Sequence, residues 1–204
     1  MQRMTRDELA KEIAKGLVET GVEGGYDAIS CSTAGDYPSI GCSQWEGGRA
    51  DTLLSYIDGG GKFIGRSYSD IEESGELPEL AELLDSEQGH EAQIMSLASD
   101  ALAYVDAVMD AGLTDERCII YAGIWCPTSH YVVARFIERR AERGENINDL
   151  WTLADLFGEE YAIAADCEEY ADGYENRAWR TYEHVIELDL SGYGVSDYGE
   201  NGED

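Results

Sequence analysis

Glu23-Gly24-Gly25-Tyr26, Ser39-Ile40-Gly41-Cys42-Ser43-Gln44-Trp45 and Gly48-Arg49-Ala50-Asp51-Thr52-Leu53-Leu54 are the three stretches on which the reading of this chain turns. Residues 26–44 are short in apolar runs and rich in Ser, Gly, Asp and Pro, which suits a small hairpin or irregular ribbon rather than a helix. Directly after it, Ala50, Leu53, Leu54 and Ile57 recur at helical spacing, so a helix is expected from Gly48 to Ile57. Asp58-Gly59-Gly60-Gly61 ends that helix.

Working outward, Thr5 to Val18 reads as an amphipathic helix. Thr5 and Glu8 have the spacing of a capping box, and Leu9, Ile13 and Leu17 form the apolar stripe. Residues 62–88 read as an acidic loop region with a short helix around Leu80 to Leu84. Further helices are expected over about 90–111, 115–125, 129–143, 147–156 and 159–188, the last broken at Asp172-Gly173. The fold class is therefore α+β, mainly α, with a small N-terminal β-hairpin or ribbon and about six to eight helices. Residues 1–190 are expected to form one domain, with 191–204 a fraying acidic, Gly-rich tail.

The chain has 204 residues, with 43 acidic against 14 basic side chains and a formal net charge of −29. Its 43% hydrophobic content rules out a disordered acidic tail. Direct nucleic-acid binding is not expected, because phosphate recognition needs a basic face, and three lysines (Lys11, Lys15, Lys62) with scattered arginines do not supply one. The acids are spread over every segment, which reads as general solubility, with the low lysine content of some salt-adapted proteins. No segment is apolar enough to span a bilayer, and the N-terminus lacks the apolar core of a signal peptide, so synthesis in the cytoplasm is expected. Five cysteines (Cys31, Cys42, Cys118, Cys126, Cys167) show no CxxC spacing, so no metal or cofactor is expected. Free structural thiols are the main reading, with a Cys31–Cys42 bridge across the hairpin as the alternative.

Chemically, a carboxylate just beyond a helix end and facing a glycine-lined ribbon suits a general acid. Partial burial of Glu23 against Tyr26 and Trp45 would keep it protonated near neutral pH. Tyr26, Tyr37, Ser39, Gln44 and Trp45 combine rings with amide and hydroxyl groups, as sugar stacking and hydrogen bonding require.

In these same residues the chain resembles the lysozyme-like superfamily, and more specifically phage and prophage endolysin domains. Those carry a similar Glu-Gly-x-Tyr element, a Ser-Ile-Gly-x-x-Gln-Trp element and an Arg-Ala-x-x-Leu-Leu helix. Ile119-Ile120-Tyr121-Ala122 resembles a central helix of such domains, and Gly173-Tyr174-Glu175-Asn176-Arg177 their closing helix. The resemblance implies a lysozyme-like fold that cleaves the β-1,4 glycan strands of peptidoglycan at the cell wall, with Glu23 as general acid. Ser39 would stand in the ribbon Ser/Thr position, and Tyr26, Ser39, Gln44 and Trp45 would contact substrate. The Asp that many phage-type lysozymes carry about nine residues after the Glu falls here on Ser32. Asp36 is the nearest candidate for the second carboxylate; otherwise the enzyme works with one carboxylate, as lytic transglycosylases do, or activity has been lost.

The −29 charge opposes approach to an anionic wall, which points to a separate wall-targeting or host protein as partner. It also leaves two other functions open: a chitosanase-like glycosidase drawn to a cationic glucosamine polymer, and a non-enzymatic acidic interaction protein or nucleic-acid mimic. His90, His130 and His184 read as ordinary residues. Cys126 near His130 is a weak nucleophile–base pair. Arg135, Arg139, Arg140 and Arg143 read mainly as an ion-paired face with Glu138, Glu142 and Glu145.

Overall fold

The computed structural model describes residues 3–21, 23–125, 129–164 and 168–193. Among them are nine α-helices and one two-stranded antiparallel sheet. The chain divides into two compact units, one made of 21–99 and the other of the described parts of 1–20 and 100–204.

The first unit holds the ribbon. Strands β1 (Ile29–Cys31) and β2 (Pro38–Ile40) pair antiparallel in the register Ile29 with Ile40, Ser30 with Ser39 and Cys31 with Pro38. Helix α2 (Gly47–Ser55) follows at once and packs on β2. Its stripe of Ala50, Leu53 and Leu54 is buried with Ile40, Trp45, Ile57 and Phe63. Two short helices come next, α3 (Tyr68–Glu73) and α4 (Leu77–Leu84), before the first part of the long α5 (Glu87–Asp110). Helix α3 lies where a loop was expected. Ser67 caps it by accepting the Asp70 N–H at 3.1 Å, and its single buried side chain, Ile71, gives too little periodicity to see in sequence. Helix α4 starts at Leu77, earlier than expected, with a proline in its first turn, where a missing N–H costs nothing.

The other unit is a helical assembly around α6 (Glu116–Trp125), which contacts α1 (Arg6–Glu19), α8 (Leu150–Ala164) and α9 (Glu168–Glu187). Cys118, Ile119, Ile120, Tyr121, Ala122 and Ile124 are all buried, so α6 is covered on every side, as an all-round apolar helix must be. Helix α1 begins with the expected capping box: the Thr5 hydroxyl accepts the Glu8 N–H at 3.3 Å and the Glu8 carboxylate accepts the Thr5 N–H at 2.7 Å. Helices α1 and α6 meet through glycines. A Cβ on Gly16 would sit 2.2 Å from Ile124 Cδ1, and one on Gly123 would sit 2.4 Å from Ile13 Cδ1.

The C-terminal helices depart from the sequence reading. Helix α8 runs unbroken through 157–159, and α9 continues through Asp172-Gly173. Asp149 starts α8 by accepting the Thr152 N–H at 2.8 Å, and the extensive α8–α9 packing outweighs the roughly 1 kcal/mol that a mid-helix glycine costs. The end of α9 is tied by Arg117, 1% exposed, whose guanidinium donates to the carbonyls of Val185 and of Leu188, the latter at 3.0 Å. In the arginine cluster on α7 (His130–Glu142), Arg139 and Arg140 both pair with Glu160 of α8, and Arg140 also pairs with Glu145. Of the expected tail, Ser191–Tyr193 form a short 3-10 turn, and 194–204 lie outside the described residues. Cys126 and Cys167 also lie outside them. Among the described residues, no helix is long and apolar enough to cross a membrane.

Candidate active site

The ribbon closes on a four-residue turn. Ile40 and Trp45 exchange both backbone hydrogen bonds at 2.9 Å, and the Gln44 N–H donates to Gly41 O at 3.1 Å. Gln44 takes φ +51°, which among the described residues makes it the one non-glycine with positive φ. Its side chain stabilises that geometry. The carboxamide N–H groups donate to Gly41 O at 3.0 Å and Ala28 O at 3.4 Å, and Oε1 accepts the Ser30 hydroxyl at 2.7 Å. Both donors are thus spent within the ribbon. Ser39, 4% exposed, donates its hydroxyl to Gln44 O at 3.1 Å.

The Glu23 segment is attached to this turn. The Gly24 N–H donates to Cys42 O at 2.8 Å, and half-buried Glu23 lies near enough for its charge to act on the Cys42 thiol. Burial first, and the Glu23 carboxylate second, push that thiol up to about 12. Cys42 is therefore a neutral, buried thiol at any working pH. Cys31 and Cys42 are both free, the first exposed. Half-buried Tyr26 stacks on His90 with ring centroids 3.8 Å apart and planes 20° apart, and His90 Nε2 is 2.8 Å from Asp85 Oδ1.

Backbone and side-chain bonds thus set Ser39, Gln44, Trp45 and the Glu23 segment around one turn, and Tyr26 is tied to it through Gln93. Three of these residues sit differently from their expected role as substrate contacts, the first being Ser39, which is buried with its hydroxyl spent on Gln44 O. Trp45 is 3% exposed, and its ring fills the core against Gly41 because the bridge to Ile40 turns it inward. Gln44 is exposed but braces the ribbon. Asp36 lies at the opposite end of the hairpin, in the tip that joins β1 to β2. Its Oδ1 accepts both the N–H and the hydroxyl of Ser69 at 3.0 Å, tying the tip to the first turn of α3.

Gln93 carries no motif in the sequence, and His90 reads there as an ordinary residue. Gln93 is wholly buried on α5, where it bridges Cys42, Tyr26 and Leu84. The available signal was a carboxamide on the apolar stripe shared by Ala92 and Leu97, where a polar group needs partners from another element. No protein-family model, curated protein or solved structure matches the chain.

Proposed function

We propose that this chain is a peptidoglycan glycosidase that cleaves the β-1,4 bonds of glycan strands, with Glu23 as general acid. The observation that carries the reading is the bond from Gly24 N–H to Cys42 O, which sets the Glu23 segment against the Ile40–Trp45 turn. The Glu-Gly-Gly-Tyr and Ser-Ile-Gly-Cys-Ser-Gln-Trp elements, which resemble the endolysin motif, meet there although 12 residues (27–38) separate them in sequence. Tyr26, three residues after the acid in sequence and stacked on His90 by one ring face, would offer its phenol or other face to a sugar.

In the reaction Glu23 gives its proton to the glycosidic oxygen while the C1–O bond breaks, and the leaving sugar departs as an alcohol. The positive charge spreads over C1 and the ring oxygen. A nucleophilic hydroxyl then adds to C1 and returns a proton to the Glu23 carboxylate. The engagement of Asp36 with Ser69 at the far end of the hairpin favours a one-carboxylate course. In that course the nucleophile is the sugar's own 6-hydroxyl and the product carries a 1,6-anhydro end.

Incubation with purified peptidoglycan, followed by mass spectrometry of the released fragments, tests this. Anhydro-ended muropeptides are the expected product. Release of glucosamine oligomers from chitosan with none from peptidoglycan would overturn the substrate assignment, and no release from either polymer would sink the enzyme reading.

A further inference from the structure

We infer that Gln93 is a positioning residue that fixes the Glu23 segment against the ribbon turn, an inference that rests on Glu23 being the acid. Its side chain is 0% exposed and its carboxamide is spent on three backbone groups. Oε1 accepts the Cys42 N–H at 2.9 Å, and Nε2 donates to Tyr26 O at 3.2 Å and to Leu84 O at 3.0 Å. A buried amide with both donors and an acceptor engaged is fixed in one orientation, because any rotation leaves backbone groups unsatisfied.

Two of these contacts act on the chain just after the acid. Tyr26 is three residues after Glu23, and Cys42, held through its N–H by Gln93, accepts the Gly24 N–H through its carbonyl. The segment leaving Glu23 is therefore pinned at residue 26 by Gln93 itself and at residue 24 by the carbonyl of Cys42, whose N–H Gln93 holds. Gly41 admits the side chain: its φ is +72°, and a Cβ there would lie 2.5 Å from Gln93 Oε1. The third contact, to Leu84, joins the end of α4 to the same point, so the frame consists of regular elements rather than loop alone.

The test uses the full chain and three variants. Gln93→Met keeps length and burial but removes all three bonds. Gln93→Glu restores the acceptor toward Cys42 and, when protonated in its buried setting, one donor. Leu153→Ala, a fully buried change in the other unit, serves as a control for destabilisation alone. Gln93→Met should lower kcat on soluble glycan oligomers by at least about tenfold with KM within about threefold, since a small displacement of an acid costs that much. Gln93→Glu should recover part of the loss, and Leu153→Ala should leave kcat per folded molecule unchanged. Amide hydrogen exchange of the same variants should show Gly24 and Cys42 exchanging at least about tenfold faster in Gln93→Met, against no change in Leu153→Ala. An unchanged kcat, a loss no greater than that of Leu153→Ala, or unchanged exchange at Gly24 would overturn the inference. If Gln93→Met does not fold, Gln93→Glu against the parent is read by the same criteria. A parent without glycosidase activity overturns the function proposed above but not the frame, which the exchange measurement then decides alone.

Discussion

At Glu76 a single carboxylate gathers Ser74 Oγ at 2.6 Å, the Arg66 guanidinium at 2.7 Å and Lys62 Nζ at 3.4 Å. The Ser74 hydroxyl first, and then Arg66, hold its pKa down to about 2, from an ordinary value of 4.5. A depressed carboxylate stabilises the fold above its unfolded pKa, and that contribution is lost as pH falls through the folded one. Glu76→Gln should therefore lower the melting temperature at pH 7, and the gap to the parent should close between pH 4.5 and about 2. A gap that stays constant over that window would refute the assignment. Residue identity alone could not foretell these partners, because Lys62, Arg66, Ser74 and Glu76 converge only once α3 and α4 fold back on the 3-10 turn at Gly60–Lys62. Trp45 shows the same limit in reverse. An aromatic in a glycine-rich ribbon suits sugar stacking, but only the bridge to Ile40 reveals which way the ring faces.

Helices with strong local signals were legible. The Thr5–Glu8 capping box places the start of α1, and the Ala50–Leu53–Leu54 stripe identifies α2. The misread elements are those decided by packing. Helix α3 buries only Ile71, and α9 runs across the exposed Gly173 because its packing on α8 as a whole outweighs one glycine. The α1–α6 crossing is a further case, since Gly16 and Gly123 look like helix weaknesses until the two helices are laid together. Intrinsic propensity favours Ala over Gly by about 1 kcal/mol, whereas overpacking costs about 1–3 kcal/mol. Packing should win at Gly16, where a methyl would meet both Ile124 and His184. Thermal or urea unfolding of Gly16→Ala should show a net loss of up to about 2 kcal/mol. Adding Ile124→Val, which removes the clashing Cδ1, should return part of it. A stabilised Gly16→Ala would mean that the helices separate at no cost.

For the whole molecule the dominant quantity is the net charge of −29. Self-repulsion of that size destabilises the compact state and is screened within about 8–10 Å at moderate salt. Raising sodium chloride from 0.05 to 1 M, as a convenient working range of roughly twentyfold in ionic strength, should raise the melting temperature by several degrees. A fall would show that the ion pairs of Arg140, Arg66 and Lys62 outweigh the repulsion. The same charge sets the partner problem. Screening should also speed any reaction on an anionic wall, because the repulsion acts before the glycan reaches Glu23. Composition made this charge readable at once, whereas the division into two compact units was not visible in the sequence. On the function proposed above, Glu23 and not Asp36 performs the chemistry. The most direct test is muropeptide release from purified peptidoglycan by the parent, Glu23→Gln and Asp36→Asn, side by side. Glu23→Gln should lose at least about a hundredfold in rate. Asp36→Asn, whose amide oxygen can still accept from Ser69, should stay within about threefold of the parent. An active Glu23→Gln, or an Asp36→Asn as inactive as Glu23→Gln is expected to be, would contradict the account.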